Sequence, residues 1–542
     1  MSRIPQVRAG RSRPGRVLAG ALAIALAASS LTALTWLTSI DSASAATKRT
    51  TVKTVKKTAK KAAKKVTRKI TPAPVVAPVA PTTTIVPLAP AVFATCVDSA
   101  LECANVSVPL DPKSAVSDRV TMFVSRRRAT GPGPRIGVLF VNPGGPGGPT
   151  YDLVRAAAQY LTPDVLARFD IIGVDPRGTT RSIPLRCGTG LLVPEIGRDF
   201  AAYYDEFGQT CLRTDGDRLQ YLDTETAARD LDSVRAALGE TQISFLGMSY
   251  GTYLGAVYQS LFPSRVRSMI LDSAVDPSRF GVNQLLDPIA ATESALAGFL
   301  ADCSSGALTP CAFNDGTDLV AKYDSLRERY IAASRRGRDF AEEFFDSTIS
   351  DLVGYPRNGW PVLGRALQEI ASGLSPNFNQ TAADSRSNDA TERLVPLDQF
   401  SAATNFAINC RDGLLPRDPA AYQAVYSQTP AVGPHFSGLR GEARLTYTCI
   451  NWPSPVAPQV PLVPQAGAAT LVIGNTFDLT TPYRWSQAMA QSLGATLLTR
   501  NGGGHVAITK SACVREAVAR FLIDAITPAP GTVCSPSLAN PS

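Results

Sequence analysis

The chain has 542 residues, 44% of them hydrophobic and 18% charged, and a formal net charge of +9. That length suits about two or three domains rather than one, and the hydrophobic fraction with a mean hydropathy near zero excludes a wholly disordered or fibrous chain. The positive balance would favour a nucleic-acid partner only if it were carried by the folded part. Of 54 Lys and Arg and 45 Asp and Glu in all, residues 1–69 hold 16 bases and the single acid Asp41, which leaves 38 bases and 44 acids for the rest. The body is mildly acidic, and no nucleic-acid partner is expected.

Arg3, Arg8, Arg11, Arg13 and Arg16 precede an uncharged Ala/Leu-rich run, Val17 to Leu37, and Ala43-Ser44-Ala45 has the small residues of a cleavage site. Residues 1–45 read as a secretory signal peptide, with an uncleaved membrane anchor as the alternative. Residues 46–92 follow as a tether. Lys48 to Lys69 carries 11 bases and no acid, with basic doublets recurring every four residues. Such a helix would repel itself unless laid against a polyanion, so Lys48-Lys69 is expected to meet an anionic wall polymer or membrane surface, or to remain a solvated tether. Thr71 to Val92 has six Pro and no charge and reads as an extended spacer.

Beyond the spacer, short apolar β-branched runs recur at Val120–Val124, Ile136–Val141, Phe169–Val174, Ile243–Leu246, Val266–Leu271, Thr470–Ile473 and Thr496–Leu498. Helical patterns lie among them at Thr224–Leu238, Tyr250–Phe262, Thr481–Leu493 and Ala512–Ile526. Strands apolar on both faces, alternating with helices, predict an α/β fold with a mostly parallel sheet covered on both sides. The rhythm stops between Asp276 and Gln465. The expected organisation is a core in two parts, residues 93–275 and 466–542, with a mainly helical cap, residues 276–465, inserted late in the sheet.

Asn142-Pro-Gly-Gly-Pro-Gly-Gly148 follows the second of these runs. Its glycines let the backbone approach a substrate closely, and it lacks the Lys-Ser/Thr ending of a phosphate-binding loop. Gly247-Met-Ser249-Tyr-Gly251 sits between a strand and a helix, where a tight turn raises a serine hydroxyl above the sheet and the Tyr250 N–H can face an oxyanion. A serine needs a base, and the chain has two histidines. His505 follows a strand in Asn501-Gly-Gly-Gly-His505, whereas His435 lies in the insertion and reads as a surface residue. Asp478, after the penultimate run, would orient His505; Asp272 and Asp276 are rival acids whose plainer reading is loop capping. The order Ser249, Asp478, His505 is that of the α/β-hydrolase fold.

All ten cysteines follow the cleavage site and none forms a CxxC pair, which disfavours zinc ribbons and thioredoxin-type centres. Bridges between sequence neighbours are the simplest arrangement: Cys96–Cys103, Cys187–Cys211, Cys303–Cys311, Cys410–Cys449 and Cys513–Cys534. No metal or other cofactor is expected, and the protein is expected to be a monomer.

These motifs resemble one family. Asn142-Pro-Gly-Gly-Pro-Gly is similar to the HGGPG-type loop of the prolyl-iminopeptidase branch of α/β-hydrolases, with Asn142-Pro143 in place of His-Gly. Gly173-Val-Asp-Pro-Arg-Gly-Thr-Thr-Arg-Ser182 resembles that branch's D-x-R-G-x-G-x-S segment, with Thr180 at the second glycine. Ala407-Ile-Asn-Cys-Arg-Asp412, Cys449-Ile-Asn-Trp452 and Asp478-Leu-Thr-Thr-Pro482 resemble the C-terminal part of secreted tripeptidyl aminopeptidases. The resemblance covers residues 93–540 and implies a secreted serine exopeptidase that removes short peptides from free N-termini, with the insertion as a cap restricting entry. It implies Ser249, Asp478 and His505 as a triad and Gly145 and Tyr250 as oxyanion donors. A substrate amine would need a carboxylate from the cap, for which Asp412, Glu342 and Glu343 are candidates. An esterase or lipase with the same triad, and a non-catalytic surface scaffold, remain alternatives.

Overall fold

In the computed structural model, ten strands form one sheet in the order β1-β2-β3-β5-β4-β6-β7-β8-β9-β10. The structure describes residues 89–535 except 98–99, 115, 188–198, 335–336, 356–358, 375–399 and 465–468. The expected signal peptide, the Lys48-Lys69 arm and most of the expected spacer lie outside the described residues.

Six of the seven expected runs lie within strands, and Ile136–Val141 begins one residue before its strand: β3 (Arg119–Arg127), β4 (Gly137–Asn142), β5 (Phe169–Val174), β6 (Ile243–Met248), β7 (Val266–Asp272), β8 (Ala469–Phe477) and β9 (Thr496–Gly503). From β5 through β10 (Val533–Cys534) neighbours run parallel. The other edge, β1 (Ala94–Thr95), β2 (Glu102–Pro109) and β3, is antiparallel, including the β3–β5 pair. β2 was not anticipated. Its Ala104, Val106 and Val108 point inward while Asn105 and Ser107 face solvent, so it alternates instead of presenting an apolar run.

Each face of the sheet carries a core. On one side α1 (Tyr151–Arg155), α2 (Pro163–Arg168) and the C-terminal α14 (Ala512–Asp524) bury Leu153, Val165, Val518 and Phe521 against Leu139, Ile171 and Ile270. On the other, α3 (Phe200–Asp215), α4 (Thr224–Ala237), α5 (Tyr250–Leu261) and α13 (Tyr483–Leu493) cover Phe140, Ile172, Phe245 and Leu271. α4 is capped by Asp223, whose carboxylate accepts the Thr226 N–H at 2.8 Å, one residue before the expected start. α13 starts two residues after the expected Thr481, with Pro482 as its N-cap.

Between β7 and β8 the chain leaves the sheet. α6 (Asn283–Ser305), α7 (Leu319–Ala333), α8 (Arg338–Val353) and α9 (Gly359–Ala371) have a core of their own around Phe299, Tyr323, Phe345 and Trp360. α10 (Ala402–Arg411), α11 (Ala420–Val432) and α12 (Tyr447–Ile450) instead send Ala403, Ile408, Val425 and Cys449 into the core of the body. The inserted segment is thus a separate helical lobe followed by a stretch that is part of the body's core. Asp287 on α6 joins the lobe to the body: it accepts from Trp485 Nε1 at 2.7 Å, from Arg279 at 2.7 and 2.8 Å, and from Arg484. The five disulfides form between the expected neighbours.

Arg177 anchors the loop after β5. Its guanidinium is 1% exposed and pairs with Asp230 of α4 through two hydrogen bonds of 2.7 and 2.6 Å. Removing one partner strands a buried charge. Arg177→Ala should cost about 3–5 kcal/mol, measured as a lower urea midpoint with an unchanged m-value.

Candidate active site

The chain leaves β4 toward β5 and leaves its neighbour β6 toward β7 on the other side, so these two connections part and open a crevice at the carboxyl ends. The Asn142–Gly148 loop and the Ser249 turn leave adjacent strands there, with Asn142 in register with Gly247. Ser249 has φ 56° and ψ −130°, and α5 starts at the next residue. A side chain cannot fit on either flank: a Cβ on Gly247 would lie 2.2 Å from the Gly251 carbonyl oxygen, and one on Gly251 would lie 2.7 Å from Asn142 Oδ1. Across the crevice Gly144, at φ +90°, sits so close that a Cβ would lie 2.9 Å from both Ser249 Cβ and Tyr250 N. The Gly144 N–H donates to Asn142 Oδ1 at 2.9 Å. Among the described residues the N–H groups of Gly145 and Tyr250 have no hydrogen-bond partner.

Asp478 follows β8 and His505 follows β9. His505 Nδ1 lies 2.9 Å from Asp478 Oδ2 and 3.1 Å from Oδ1. With Nδ1–H donating to the carboxylate, Nε2 is left as the basic nitrogen. Asp478 also accepts the Thr480 and Thr481 N–H groups at 3.0 and 2.9 Å and the Thr481 hydroxyl at 3.0 Å. Burial alone would push this carboxyl up, but the His505 charge and these hydrogen bonds hold it below its usual range. Phe477 and Leu479, on either side of it, pack against the lobe, Phe477 with its ring 5.4 Å from that of Trp360.

Asp272 connects the serine and histidine loops. Its carbonyl accepts the Ser249 N–H at 3.0 Å, and its fully buried carboxylate accepts the Ala507 and Ile508 N–H groups at 3.0 and 2.8 Å. Ser273, at φ 61°, accepts the Val506 N–H at 3.0 Å, and Val506 has φ 66°. Three of the five non-glycine residues with positive φ among the described residues therefore lie in these loops, which is where strained backbone concentrates in functional sites. Asp276 caps a turn by accepting the Ser278 N–H at 2.9 Å. Loop capping is thus the observed part of both rival acids.

The three acids expected as amine partners have partners inside the protein. Asp412 is 5% exposed; its Oδ1 accepts the Thr224 N–H at 3.0 Å and its Oδ2 the Thr224 hydroxyl at 2.5 Å. Glu342 is engaged by Arg327 at 3.0 Å, Arg440 at 2.9 Å and Ser437, and Glu343 by Arg444 at 3.0 Å. Glu342 and Glu343 are thus paired with arginines, and among the described residues the Asp412 carboxylate is hydrogen-bonded to Thr224 alone. His435, expected at the surface, is partly buried between Glu293 and Asp324, 3.0 Å from the latter, and the Glu293 hydrogen bond raises its pKa. Sequence reasoning missed Thr224 and Asn405, whose partners Asp412 and the Pro146 carbonyl lie far along the chain, and Thr481, whose hydroxyl donates to Asp478 three residues earlier.

The sheet, the crevice and the strand–serine–helix turn define an α/β-hydrolase. Residues 137–309 match the family described as alpha/beta hydrolase fold, and residues 436–534 match the family described as TAP-like protein. The chain is 30% identical over 459 residues to the serine protease Hip1 of Mycobacterium tuberculosis, covering 80% of this chain and 87% of that protein. It is 32% identical over 466 residues to carboxylesterase B of the same organism, covering 80% and 86%, and 28% identical over 469 residues to tripeptidyl aminopeptidase of Streptomyces lividans, covering 80% and 84%. The chain belongs to the TAP-like α/β-hydrolases and is a serine hydrolase of that family.

Two outcomes follow from this geometry. Asp272→Asn leaves one of the Ala507 and Ile508 N–H groups facing an amide NH₂, and the shifted His505 loop should lower turnover about 10²-fold, seen in kcat. Burial pushes the Asp412 carboxyl from the ordinary 3.8 up to about 7. Between those values the folded state binds a proton that the unfolded state has lost, so this group withdraws stability as pH rises. Asp412→Asn should therefore gain in Tm relative to wild type from about pH 5 to about pH 8.

Proposed function

We propose that this protein is an exported serine exopeptidase that releases short peptides, with tripeptides as the expected unit, from the free N-termini of peptides. The carrying observation is the Asp478–His505 hydrogen bond beside the strained Ser249 turn, the two loops being joined by Asp272. Ser249 Oγ attacks the scissile carbonyl as its proton passes to His505 Nε2, and Asp478 steadies the imidazolium. The Gly145 and Tyr250 N–H groups receive the charge that develops on the carbonyl oxygen. His505 then returns the proton to the leaving amine, and water releases the acyl group by the same steps in reverse.

Five disulfides support an oxidising, extracytoplasmic location. Among the described residues no helix is long and apolar enough to cross a membrane. Retention at an anionic wall polymer or membrane surface through Lys48-Lys69 belongs to the same proposal, as does a monomeric state. The helical lobe packed on the acid loop supports restricted entry, as an exopeptidase needs.

Carboxylesterase chemistry is the second reading. It is favoured by the similarity to carboxylesterase B and by the internal partners of Asp412, Glu342 and Glu343, which leave the amine-binding group unassigned.

Ser249→Ala should lower kcat by about 10⁴–10⁶ with the fold intact. On a panel of mono-, di- and tripeptidyl p-nitroanilides, turnover should be highest for free tripeptides and lost on acetylation. Equal turnover of acetylated substrates, or activity confined to simple esters, would establish the second reading instead.

A further inference from the structure

Helix α10 reaches both halves of the oxyanion hole proposed above, the Gly145 loop through Gly147 and Pro146 and Tyr250 through Thr224. At its N-terminal end the Ser401 N–H donates to the Gly147 carbonyl at 3.2 Å, and Asn405 Nδ2 donates to the Pro146 carbonyl at 2.9 Å. The Asn405 amide is itself oriented, since Asn409 Nδ2 donates to its Oδ1 at 2.9 Å. Loop and helix are in backbone contact: a Cβ on Gly147 would lie 2.6 Å from the Ser401 carbonyl oxygen and 3.1 Å from Asn405 N. At the other end of the helix, Asp412 accepts both the N–H and the hydroxyl of Thr224, and the Thr224 hydroxyl oxygen is also hydrogen-bonded to the Tyr250 phenol.

The helix is itself firmly held. Ala403, Ala407, Ile408 and Cys410 are buried in the body's core. The Thr404 hydroxyl donates to the Gly178 carbonyl at 2.6 Å, Cys410 is bridged to Cys449, and Arg411 Nε donates to the Gln220 carbonyl at 3.0 Å.

We propose that α10 sets the oxyanion hole: Asn405 positions the loop that carries Gly145, and Asp412, through Thr224, positions Tyr250. Both are positioning residues and neither touches the reacting atoms. The inference rests on the reading of Ser249 as nucleophile with Gly145 and Tyr250 as donors. Its physical basis is the character of the loop. Gly144, Gly145 and Gly147 all have positive φ, and such a loop has almost no side chains with which to pack. An anchored helix supplies the rigidity that the glycines lack. Donors act on an oxyanion only when placed about 2.7–3.1 Å from where it forms. A fractional displacement therefore weakens transition-state binding and leaves substrate binding nearly unchanged.

The test compares Asn405→Ala, Asp412→Ala, the isosteric Asn405→Asp and the hydrogen-bonding Asp412→Asn in the full chain. Four readouts are needed: kcat and KM on a peptide p-nitroanilide, affinity for a peptide boronic acid that forms a tetrahedral adduct, the fraction labelled at completion by a fluorophosphonate, and Tm. Both Ala variants and Asn405→Asp should lose about 10–100-fold in kcat with KM within about twofold, and boronate affinity should fall by the same factor. Labelling should still reach completion. Asp412→Asn should restore kcat to within about threefold of wild type, and the losses of Asn405→Ala and Asp412→Ala should multiply in the double variant.

Wild-type kcat in folded, fully labelled Asn405→Asp and Asp412→Ala would overturn the proposal. So would a raised KM with kcat unchanged, or lost kcat with boronate affinity intact. Failure of wild type itself to label at Ser249 would instead defeat the underlying reading, and needs no α10 variant to be seen.

Discussion

The backbone of Ser249 is the constraint on which the site depends. A non-glycine residue at φ 56° costs on the order of 1–3 kcal/mol and persists only where its surroundings over-determine it. Here β6 and α5 approach until Gly247 and Gly251 leave no room for a Cβ, and Asn142 closes the same space from β4. The Ser249 N–H is held by the carbonyl of Asp272, and the carboxylate of that residue holds the loop of His505. One buried acid thus references two loops to each other although they are more than 200 positions apart in sequence.

The inserted segment between β7 and β8 has two kinds of contact with the site. Its helical lobe packs on Phe477 and Leu479, so the acid loop is wedged between the sheet and a second core. Its later part, from α10 to α12, is continuous with the body and carries Asn405 and Asp412. An insertion that shares its core with the body differs from a lid that swings over a finished site. The Asp287 cluster and the Cys410–Cys449 bridge hold these contacts in place, one for the lobe and one for α10.

Much of the fold was legible because parallel strands buried on both faces leave continuous β-branched runs, as at Phe169–Val174 and Val266–Leu271. β2 was not, because half of its residues face water and its signal is the weaker alternation of Ala104, Val106 and Val108. The disulfides were legible because each joins cysteines 7 to 39 positions apart, without a competing partner nearby. In the site, Ser249, Asp478 and His505 stood out through turn chemistry and chain order, helped by there being two histidines in all. The internal partners of Asp412, Glu342 and Glu343, the carboxylates suggested for a substrate amine, were not legible, for one reason. Whether an acid faces a cavity or an internal partner depends on residues such as Thr224, Arg327 and Arg444, which no local pattern connects to it.

The sequence by itself determined the strand-and-helix rhythm, the elbow and the order of its reactive groups, because these follow from side-chain periodicity and from small residues at fixed spacing. Only the tertiary structure decided that Asp272 braces the Ser249 and His505 loops, that Asp412 sits behind Tyr250, and that α10 lies against the Pro146–Gly147 backbone. Each of those outcomes turns on hydrogen bonds between groups distant in the chain. Such bonds exist only once the sheet order has brought the carboxyl ends of β4, β6, β7 and β8 together.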